Sequence, residues 1–571
     1  MAMTDPTKLP KFSSCRGVSF EIQPSPSSPF AIPPTSNSQT ANQAGRWVWL
    51  PWSSQNATST VVPSANSHRS MSRASSHFCD LSDDGNDDKE EDRVDDIEAQ
   101  LDDEQPAEPK KQQEQPILVT PPGSASVKKP TPPPPQEYSR LAVVLLDQGL
   151  FTVYKRLFAA CFALNTTALA LAATGHFDYA KRRAALFAIG NVLALTLCRS
   201  EALLRVVFWL AVKALGPAWV PIPVKTAATA FLQSLGGIHS GCGVSSVAWL
   251  VYALILTLHR RSETSPEIIA AASSVLALLS LSCVAAFPLV RHPHHNVFER
   301  THRFAGWTVL AILWAFVLLT ASYHPDTKSY HRINASELAK RQEFWITVLI
   351  TFFTILPWAT VRRVPVSVTA PSGHASIVKF SGGVKAGLLG RISRSPLSEW
   401  HAFGIISDGE ETHMMLAGAV GDFTKGLVLD PPQRLWVRRV HFAGLPYLVN
   451  MYRRVVLVAT GSGICVFLSF LLQPCAAAVC VVWVAKGVEA NFGREITNMV
   501  TGGGAGWGER KAVVHDTAVL GRPNVAEMAV EAAKDWEAEV VVVTSNPQGS
   551  SDVVRACKMA GIPAFGPIWD S

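Results

Sequence analysis

The sequence predicts a multi-pass α-helical membrane bundle followed by a small antiparallel β-barrel and a doubly wound α/β domain, all behind a disordered N-terminal tail. Three patterns that follow one another along the chain support this prediction. They are long apolar runs, short β-type runs with Gly/Pro/Ser turns, and strands that alternate with helices. Of the 571 residues, 48% are hydrophobic and 17% are charged, which is too apolar for an ordinary soluble enzyme. We divide the chain into residues 1–138, 139–363, 364–450 and 451–571.

The composition of residues 1–138 predicts an acidic, Ser/Pro-rich disordered tail. They contain 12 Lys/Arg and 19 Asp/Glu, a net charge of −7 in a chain whose net charge is +6. Too few apolar residues are contiguous to offset the entropy cost of ordering this segment. No apolar core follows Met1 to Lys11, so we expect no signal peptide and a cytosolic tail.

Residues 139–363 contain the apolar runs that predict about six membrane-spanning helices, because about 20 helical residues cross the hydrocarbon. The runs are Leu157–Gly175, Ala184–Cys198, Thr229–Leu258, Ile268–Val290, Phe304–Tyr323 and Phe344–Val361. The second run is short, and we expect the apolar stretch Val206–Leu215 after it to lie in the membrane interface. An even number of crossings puts both termini on one side, which we take as cytosolic. The sequence leaves open whether the membrane is the plasma membrane or an internal one.

Two histidines lie at the starts of predicted spans, His239 in the third and His302 in the fifth. Helices separated by one span run parallel, so both imidazoles should reach the same face of the membrane. Two neutral imidazoles from facing helices are the ligands that a six-coordinate haem iron needs, so both are candidate ligands of one haem b. The alternative is that they hydrogen-bond to headgroups or loops at the helix entrance.

Residues 364–450 and 451–571 contain short runs that predict β-strands. Six short runs predict the barrel, namely Val364–Thr369, Ala375–Phe380, Gly387–Ser393, Ala402–Ser407, His413–Val420 and Leu435–Phe442. Five more, alternating with helices, predict the doubly wound domain: Val455–Ala459, Ala478–Val484, Ala512–His515, Glu539–Thr544 and Ile562–Phe565. Near-continuous valine, as in Val540–Val543, is typical of a strand buried on both faces.

A glycine turn follows the first strand of the doubly wound domain. Its residues are Thr460, Gly461, Ser462, Gly463 and Ile464. Glycines between a strand and a helix allow backbone N–H groups to approach a pyrophosphate at the helix N-terminus. The alternative is an ordinary strand-to-helix turn.

Taken together, these features resemble the ferric reductase and NADPH oxidase superfamily, and are most similar to the membrane-anchored reductase part of TmpL-type fungal integral membrane proteins. The resemblance covers about residues 157–571. The strings that carry it are Ser398-Glu-Trp-His-Ala-Phe403, Gly421-Asp-Phe-Thr424, Val458-Ala-Thr-Gly-Ser-Gly-Ile464, Thr544-Ser-Asn-Pro547 and Gly561 to Ser571. It implies a ferredoxin-reductase-like module in which NAD(P)H gives a hydride to FAD and electrons then pass to a small-molecule acceptor.

The resemblance also implies roles for individual residues. His401 and Phe403 would line FAD, and its phosphates or ribityl chain would meet Gly421, Asp422, Thr424 and Lys425. The nicotinamide dinucleotide would be held by Thr460, Gly461, Ser462, Gly463, Ile464, Thr544 and Asn546. Trp569 resembles the terminal aromatic residue that covers the flavin ring until nicotinamide displaces it. Lys486 and Arg522 follow the second and third strands, where a cation beside the adenosine ribose would favour NADPH over NADH; the alternative is an exposed salt-bridging cation.

Departures from the family keep two alternatives open. Haem-bearing members repeat each histidine 13 or 14 residues later, but those positions hold Tyr252, Ala253, Ala315 and Phe316. This disfavours a transmembrane haem-containing ferric or oxygen reductase. The turn also lacks the proline of GxGxxP, and the barrel motif reads His-Ala-Phe-Gly, which allows a non-catalytic membrane scaffold that retains the reductase fold.

The expected partners follow from the same resemblance. They are a lipid bilayer, a small-molecule electron acceptor and a separate biosynthetic enzyme that would supply any adenylate-forming chemistry. We expect no nucleic-acid partner.

Overall fold

The computed structural model describes residues 12–13, 19–20, 152–291, 295–502 and 509–567. The chain divides into two units, and the first lies within residues 1–84. Its described residues form one antiparallel pair of two-residue strands, Phe12–Ser13 and Ser19–Phe20. All other described elements belong to the second unit. The rest of the predicted tail and Trp569 lie outside the described residues.

The second unit begins with a bundle of helices. They are α1 Val153–Ala173, α2 Asp178–Arg182, α3 Ala184–Leu197, α4 Glu201–Leu215, α5 Ile222–Gln233, α6 Gly236–His259, α7 Pro266–Ala285, α8 Pro288–Arg291, α9 His295–Ser322, α10 Ala335–Ala339 and α11 Gln342–Ala359. A 3-10 turn, Arg261–Glu263, precedes α7, and a short hairpin, β1 Tyr323–His324 and β2 Ser329–Tyr330, follows α9.

Among the described residues, five helices are long and apolar enough to cross a membrane: α1, α6, α7, α9 and α11. The apolar helix α3 has only 14 residues. These six helices correspond to the six predicted runs, and the shortness of the second run persists in the structure.

The third predicted run is wrong at its start. The chain turns at Ser234 and Leu235, so α6 begins at Gly236 and residues 229–233 belong to α5. A Cβ placed on Gly237 would lie 2.1 Å from the carbonyl oxygen of Tyr154, and one on Gly241 would lie 3.0 Å from Cβ of Cys161. The glycines therefore bring α6 against α1. The predicted run was extended across Gln233-Ser234 and Gly236-Gly237, which mark the break between α5 and α6.

A buried polar cluster joins three helices of the bundle. Oδ1 of Asn165 accepts hydrogen bonds from Nδ2 of Asn191 at 2.8 Å and from Nε1 of Trp249 at 2.9 Å. Polar side chains between apolar helices act as fixed contact points because each donor needs a partner away from water. This cluster sets the relative positions of α1, α3 and α6.

Helix α4 has two apolar faces with different neighbours. Phe208 is buried with Leu204 and Leu215 against the hydrophobic core of the domains that follow, whereas Trp209 and Leu210 are exposed. The predicted interfacial stretch is thus a helix whose inner face packs on residues 361–567, which we call the head.

The head begins with antiparallel strands that correspond closely to the predicted barrel. They are β3 Val361–Pro365, β4 Ser367–Ser372, β5 Ala375–Ser381, β6 Leu388–Ser393, β7 His401–Gly404, β8 Ile406–Ser407, β9 Thr412–Gly418, β10 Arg434–Arg438 and β11 Phe442–Ala443, with helix α12 Asp422–Leu429 between β9 and β10. One sheet has the order β8-β9-β5-β4 and the other β11-β6-β10-β3, with β7 paired to β6. The first predicted strand, 364–369, is wrong as one element because Val366 separates β3 from β4.

A parallel five-stranded sheet completes the head. After the 3-10 segment Leu445–Met451, its strands are β12 Arg454–Thr460, β13 Ala478–Ala485, β14 Arg510–Asp516, β15 Val540–Thr544 and β16 Ala564–Phe565. The helices between them are α13 Leu468–Leu472, α14 Val488–Thr501, α15 Thr517–Leu520, α16 Val525–Asp535 and α17 Pro547–Met559. The spatial order is β14-β13-β12-β15-β16. Every residue of β15 is buried, as its valine run predicts.

Charged side chains hold the bundle against the head. Glu201 at the start of α4 pairs with Arg391 of β6 and, at 3.1 Å, with Arg438 of β10. The buried Lys225 of α5 donates to the carbonyl oxygens of Gly216 at 3.3 Å and Met451 at 2.7 Å. Because a buried ammonium needs oxygen partners, these contacts fix the position of the head beneath the bundle.

Candidate functional site

The sheet of the α/β domain has a topological switch point between β12 and β15. The chain moves from β12 to β13 and β14 on one side, then returns to β15 on the other. Ligands of doubly wound folds bind at the carboxyl ends of strands at such a point. Here Thr460 is the last residue of β12 and Ser545 follows β15. Their hydroxyl groups form a hydrogen bond of 2.8 Å.

The predicted glycine turn forms this edge as a 3-10 segment, Gly461–Val466. Gly461 has φ +54°, a conformation that side chains with a Cβ rarely adopt. Its carbonyl accepts a hydrogen bond from Nε1 of Trp483 at 2.9 Å. All residues of the segment are buried, so this turn is a rigid part of the core.

The barrel lies directly on the glycine turn. A Cβ on Gly404, the last residue of β7, would lie 2.6 Å from Cγ1 of Val466, and one on Gly418 would lie 2.7 Å from the hydroxyl of Ser462. Only residues without a side chain permit this approach. The structure therefore brings the strand that carries His401 and Phe403 next to the predicted dinucleotide turn.

Thr544 and Asn546 lie at the carboxyl end of β15, beside this turn. Thr544 is buried, and Oδ1 of Asn546 accepts a hydrogen bond from the N–H of Gly549 at 2.7 Å, which caps α17. The structure thus gathers these residues with Thr460 to Ile464 at one edge of the sheet.

The aromatic residues of the barrel motif form a closed stack. His401 and Phe403 are 7% and 2% exposed, respectively. The ring of Phe423, in the first turn of α12, stacks on His401 with centroids 4.0 Å apart and an interplanar angle of 18°. Phe423 therefore covers one face of the His401 ring.

The start of α12 organises the other predicted FAD residues. The hydroxyl of Thr424 accepts hydrogen bonds from the N–H groups of Val420 at 3.1 Å and Gly421 at 3.0 Å. Asp422 and Lys425 are both exposed. The helix N-terminus and Lys425 favour a phosphate, whereas the carboxylate of Asp422 opposes one.

The residue types of this region fit FAD and a dinucleotide. Stacked aromatic rings suit an isoalloxazine ring, and a helix N-terminus beside a cation suits phosphate oxygens. The face of His401 that Phe423 covers becomes available to a ligand only when Phe423 moves away from it.

Asp516, the last residue of β14, lies at the edge of the candidate site and was not predicted from the sequence. Its carboxylate accepts hydrogen bonds from the N–H groups of Gly487 and Val488, both at 2.8 Å, and so caps α14. Burial alone would raise the pKa of Asp516, but these bonds and one from Ala518 hold it below its usual value. Its position at the end of the third strand was the available signal. The neighbouring Lys486 and the more distant Arg522 are exposed.

The two bundle histidines are brought together. The ring centroids of His239 and His302 are 6.3 Å apart, with planes at 55°. Nδ1 of His239 donates to the carbonyl oxygen of Leu195 at 2.9 Å, leaving its Nε2 for a second contact. Nδ1 of His302 is buried without a hydrogen-bond partner among the described residues.

The residues around the histidines fit a haem only in part. Two imidazoles suit axial ligation, but the glycine face of α6 is filled by α1, as Gly237 and Gly241 show. The position of a second histidine holds Tyr252, whose hydroxyl donates to the carbonyl oxygen of Ala172 at 3.1 Å. That position serves helix packing.

Comparison with known proteins associates the chain with reductases. Residues 445–571 match the family described as adenylate-forming reductase 03009, C-terminal domain. Adenylate-forming reductase 06235 of Coprinopsis cinerea is 34% identical over 440 residues, and adenylate-forming reductase 03009 of the same fungus is 33% identical over 442 residues. Each match covers 75% of this chain, and the chain spans 41% of the length of each relative.

Solved structures with matching regions are more distant. Ferredoxin-NADP+ reductase from Plasmodium falciparum is 9% identical, with 36% of this chain and 95% of that chain covered and a TM-score of 0.28. Flavohemoglobin from Malassezia yamatoensis is 11% identical, with 67% and 98% covered and a TM-score of 0.31. The protein is therefore similar, over three quarters of its length, to fungal proteins named adenylate-forming reductases, and this similarity supports a reductase.

Proposed function

We propose that the protein is a membrane-bound, flavin-dependent oxidoreductase that passes a hydride from NAD(P)H to FAD and then electrons to a small-molecule acceptor. The single observation that best supports it is the contact between Gly404 and Val466. It places the barrel motif beside the switch point, so that the two expected binding sites adjoin. The similarity to proteins named reductases supports the same class of reaction.

Residues of the head would position both dinucleotides. His401 and Phe403 would provide an aromatic surface for the isoalloxazine ring, and the start of α12 with Lys425 would meet the FAD phosphates. The Gly461 turn, Thr544 and Asn546 would hold the nicotinamide dinucleotide. FAD, when bound, supplies the chemistry of accepting two electrons from the nicotinamide and returning them to an acceptor.

The membrane part of the proposal is supported by the five long apolar helices. It counts the 14-residue apolar helix α3 as a sixth crossing, so that an even number of crossings puts both termini and the head in the cytosol, as in the ferric reductase superfamily and the TmpL-type proteins. A separate enzyme would then supply any adenylate-forming chemistry. The acceptor is a small molecule that reaches the flavin from the cytosol or from the lipid.

Purified full-length protein in detergent tests this function. We expect it to bind FAD, with a visible flavin absorbance band, and to oxidise NAD(P)H with ferricyanide as the acceptor. Protein that takes up no flavin and oxidises neither NADPH nor NADH would be the scaffold instead.

Replacing Gly461 with valine tests the dinucleotide turn. A β-branched residue at φ +54° costs about 1–3 kcal/mol of backbone strain, so we expect a higher KM for NAD(P)H while FAD stays bound. Gly561→Val is the matched control, because Gly561 has φ +75° with open space around it. An unchanged KM in Gly461→Val would move the nucleotide site elsewhere.

A single haem b held by His239 and His302 is the second candidate feature, favoured by their 6.3 Å ring separation. If haem is present, purified protein will show its absorbance, and His239→Ala and His302→Ala will each abolish it. A haem spectrum that survives both substitutions would refute this assignment.

A further inference from the structure

We propose that the electron acceptor is a membrane-dissolved quinone that binds a cavity between α9 and α11. The cavity, called the tryptophan cavity below, has a volume of about 330 Å³ and is lined by Trp307, Leu310, Thr354, Ile355 and Trp358. This inference rests on the proposed oxidoreductase function and specifies its acceptor.

The tryptophan cavity is placed to open toward lipid. Both α9 and α11 are among the helices apolar enough to cross a membrane, and Ile355 at the cavity wall is 54% exposed. Pro357 lies inside α11 and lacks the N–H that would complete the helical hydrogen bond to Phe353. The continuous helix α11 therefore lacks one backbone hydrogen bond where the cavity forms.

Three tryptophans connect the cavity to the barrel strand that carries the flavin motif. The rings of Trp307 and Trp358 are 5.2 Å apart, and those of Trp358 and Trp400 are 6.5 Å apart. Trp400 immediately precedes His401, the first residue of β7. The cavity thus lies one aromatic contact from the strand on which the flavin is proposed to stack.

A positive charge lies at the inner end of this connection. The guanidinium carbon of Arg438 is 5.0 Å from the ring centre of Trp400 and 6.0 Å from that of Trp358. Arg438 is anchored by Glu201. Glu201 also pairs with Arg391, so this cluster of two guanidinium groups and one carboxylate has a net positive charge, which would favour the negative charge that develops on a bound quinone as it accepts electrons.

The lining favours a quinone over the other kinds of acceptor. A ferric ion or its chelates would need oxygen or nitrogen ligands, whereas Thr354 contributes the one hydroxyl among the five lining side chains. Two tryptophan rings at 75° suit a flat ring, and a cavity near 300 Å³ is at the lower end of the range for small ligands. The isoprenoid tail would extend past Ile355 into the lipid.

The reaction balances without a further reactant. The C4–H bond of NAD(P)H breaks, and its hydride supplies two electrons and one proton; a second proton comes from water. The quinone takes up two electrons and two protons, so that both C=O bonds become C–OH bonds. NAD(P)⁺ and the quinol are the products.

The inference is tested on full-length, FAD-loaded protein in detergent with a short-tailed benzoquinone and, separately, with ferricyanide. We expect saturable quinone reduction, and photolabelling by an azido-benzoquinone within residues 307–310 and 354–358 that excess unlabelled quinone suppresses. Leu310→Trp fills the cavity, and the ratio of quinone to ferricyanide rates should fall about tenfold. Thr354→Leu should lower the same ratio without adding a bulky ring.

Leu349→Trp is the matched control. Leu349 lies on α11 with 44% of its surface exposed and does not line the cavity, so its quinone-to-ferricyanide ratio should equal that of the natural protein. Ferricyanide reduction without quinone reduction, or labelling elsewhere in the chain, would overturn the quinone site and leave the oxidoreductase function standing. Labelling that excess quinone does not suppress would identify a site for lipid acyl chains instead. Failure with both acceptors would overturn the proposed function and this inference together.

Discussion

At the scale of single residues, the ring of His401, which we propose lines the flavin site, is covered on one face by the ring of Phe423. The stack of Phe423 on His401, 4.0 Å apart, is worth about 0.5–1.5 kcal/mol beyond its burial. In the proposed function, a flavin that stacks on the covered face of His401 would have to replace this contact, and the affinity for FAD would depend on how readily Phe423 moves away.

Phe423→Ala should strengthen FAD binding, because the ring no longer competes for His401. Losing a contact of this size lowers the Kd by about twofold to tenfold, while the cavity it leaves lowers the free energy of unfolding by about 3–5 kcal/mol. Titration of the apoprotein with FAD measures the first effect and thermal unfolding the second. Phe380→Ala is the control, since Phe380 stacks on His413 in the same barrel and should leave the FAD affinity unchanged. Weaker FAD binding by Phe423→Ala would show that Phe423 is part of the flavin-binding site.

Two buried barrel histidines should make the head sensitive to acid. Burial lowers the pKa of His413 and, with help from nearby His413 and Arg205, lowers that of His441 to about 4. Between pH 6.5 and 4 the unfolded chain binds a proton that the folded head does not, so stability falls as pH decreases through this window. We expect a loss of about 2 kcal/mol, allowing for partial exposure.

Thermal unfolding at stepped pH values checks this expectation. His441→Gln removes the titrating group, so its stability should depend less on pH between 6.5 and 4. If the stability of His441→Gln depends on pH as strongly as that of the natural protein, groups other than His441 cause the acid sensitivity.

At the scale of elements, α4 and α5 connect the bundle to the head through charges as well as apolar packing. Burial alone would raise the pKa of Glu201, but Arg391 and Arg438 hold it below its usual value. Lys225 binds two carbonyl oxygens, one from each side of the junction, at Gly216 and Met451. The junction is therefore specified by directional contacts.

Lys225→Met should loosen this junction, because two buried carbonyl groups lose their donor. Hydrogen bonds to charged groups contribute about 1.5–3 kcal/mol, and we expect thermal unfolding of the full-length protein to show a loss of this size. Lys213→Met is the control, since Lys213 lies over the exposed ring of Trp209 and should change stability little. Equal stability of Lys225→Met and the natural protein would mean that packing alone holds the head.

At the scale of the whole molecule, periodicity and turn residues are sufficient to predict that helices come first, antiparallel strands next and the parallel sheet last, together with most strands. The valine run of β15 is buried throughout, and the Gly461 turn follows β12 at the switch point. The break between α5 and α6 had a signal in the sequence, because the polar pair Gln233-Ser234 and the glycine pair Gly236-Gly237 interrupt the apolar run. Long-range contacts have no such signal. The stack of Phe423 on His401 and the capping role of Asp516 depend on distances in space that sequence spacing does not report.

The connection between the bundle and the head is one residue long. Helix α11 ends at Ala359 and β3 begins at Val361, so Thr360 alone separates them. Helices adapt to bilayers of different thickness by tilting, and in the proposed membrane-bound protein so short a link would transmit that tilt to the first barrel strand. Reconstitution into vesicles of short-chain and long-chain phospholipids should therefore yield different turnover numbers, so that bilayer thickness would control the rate of the proposed reaction.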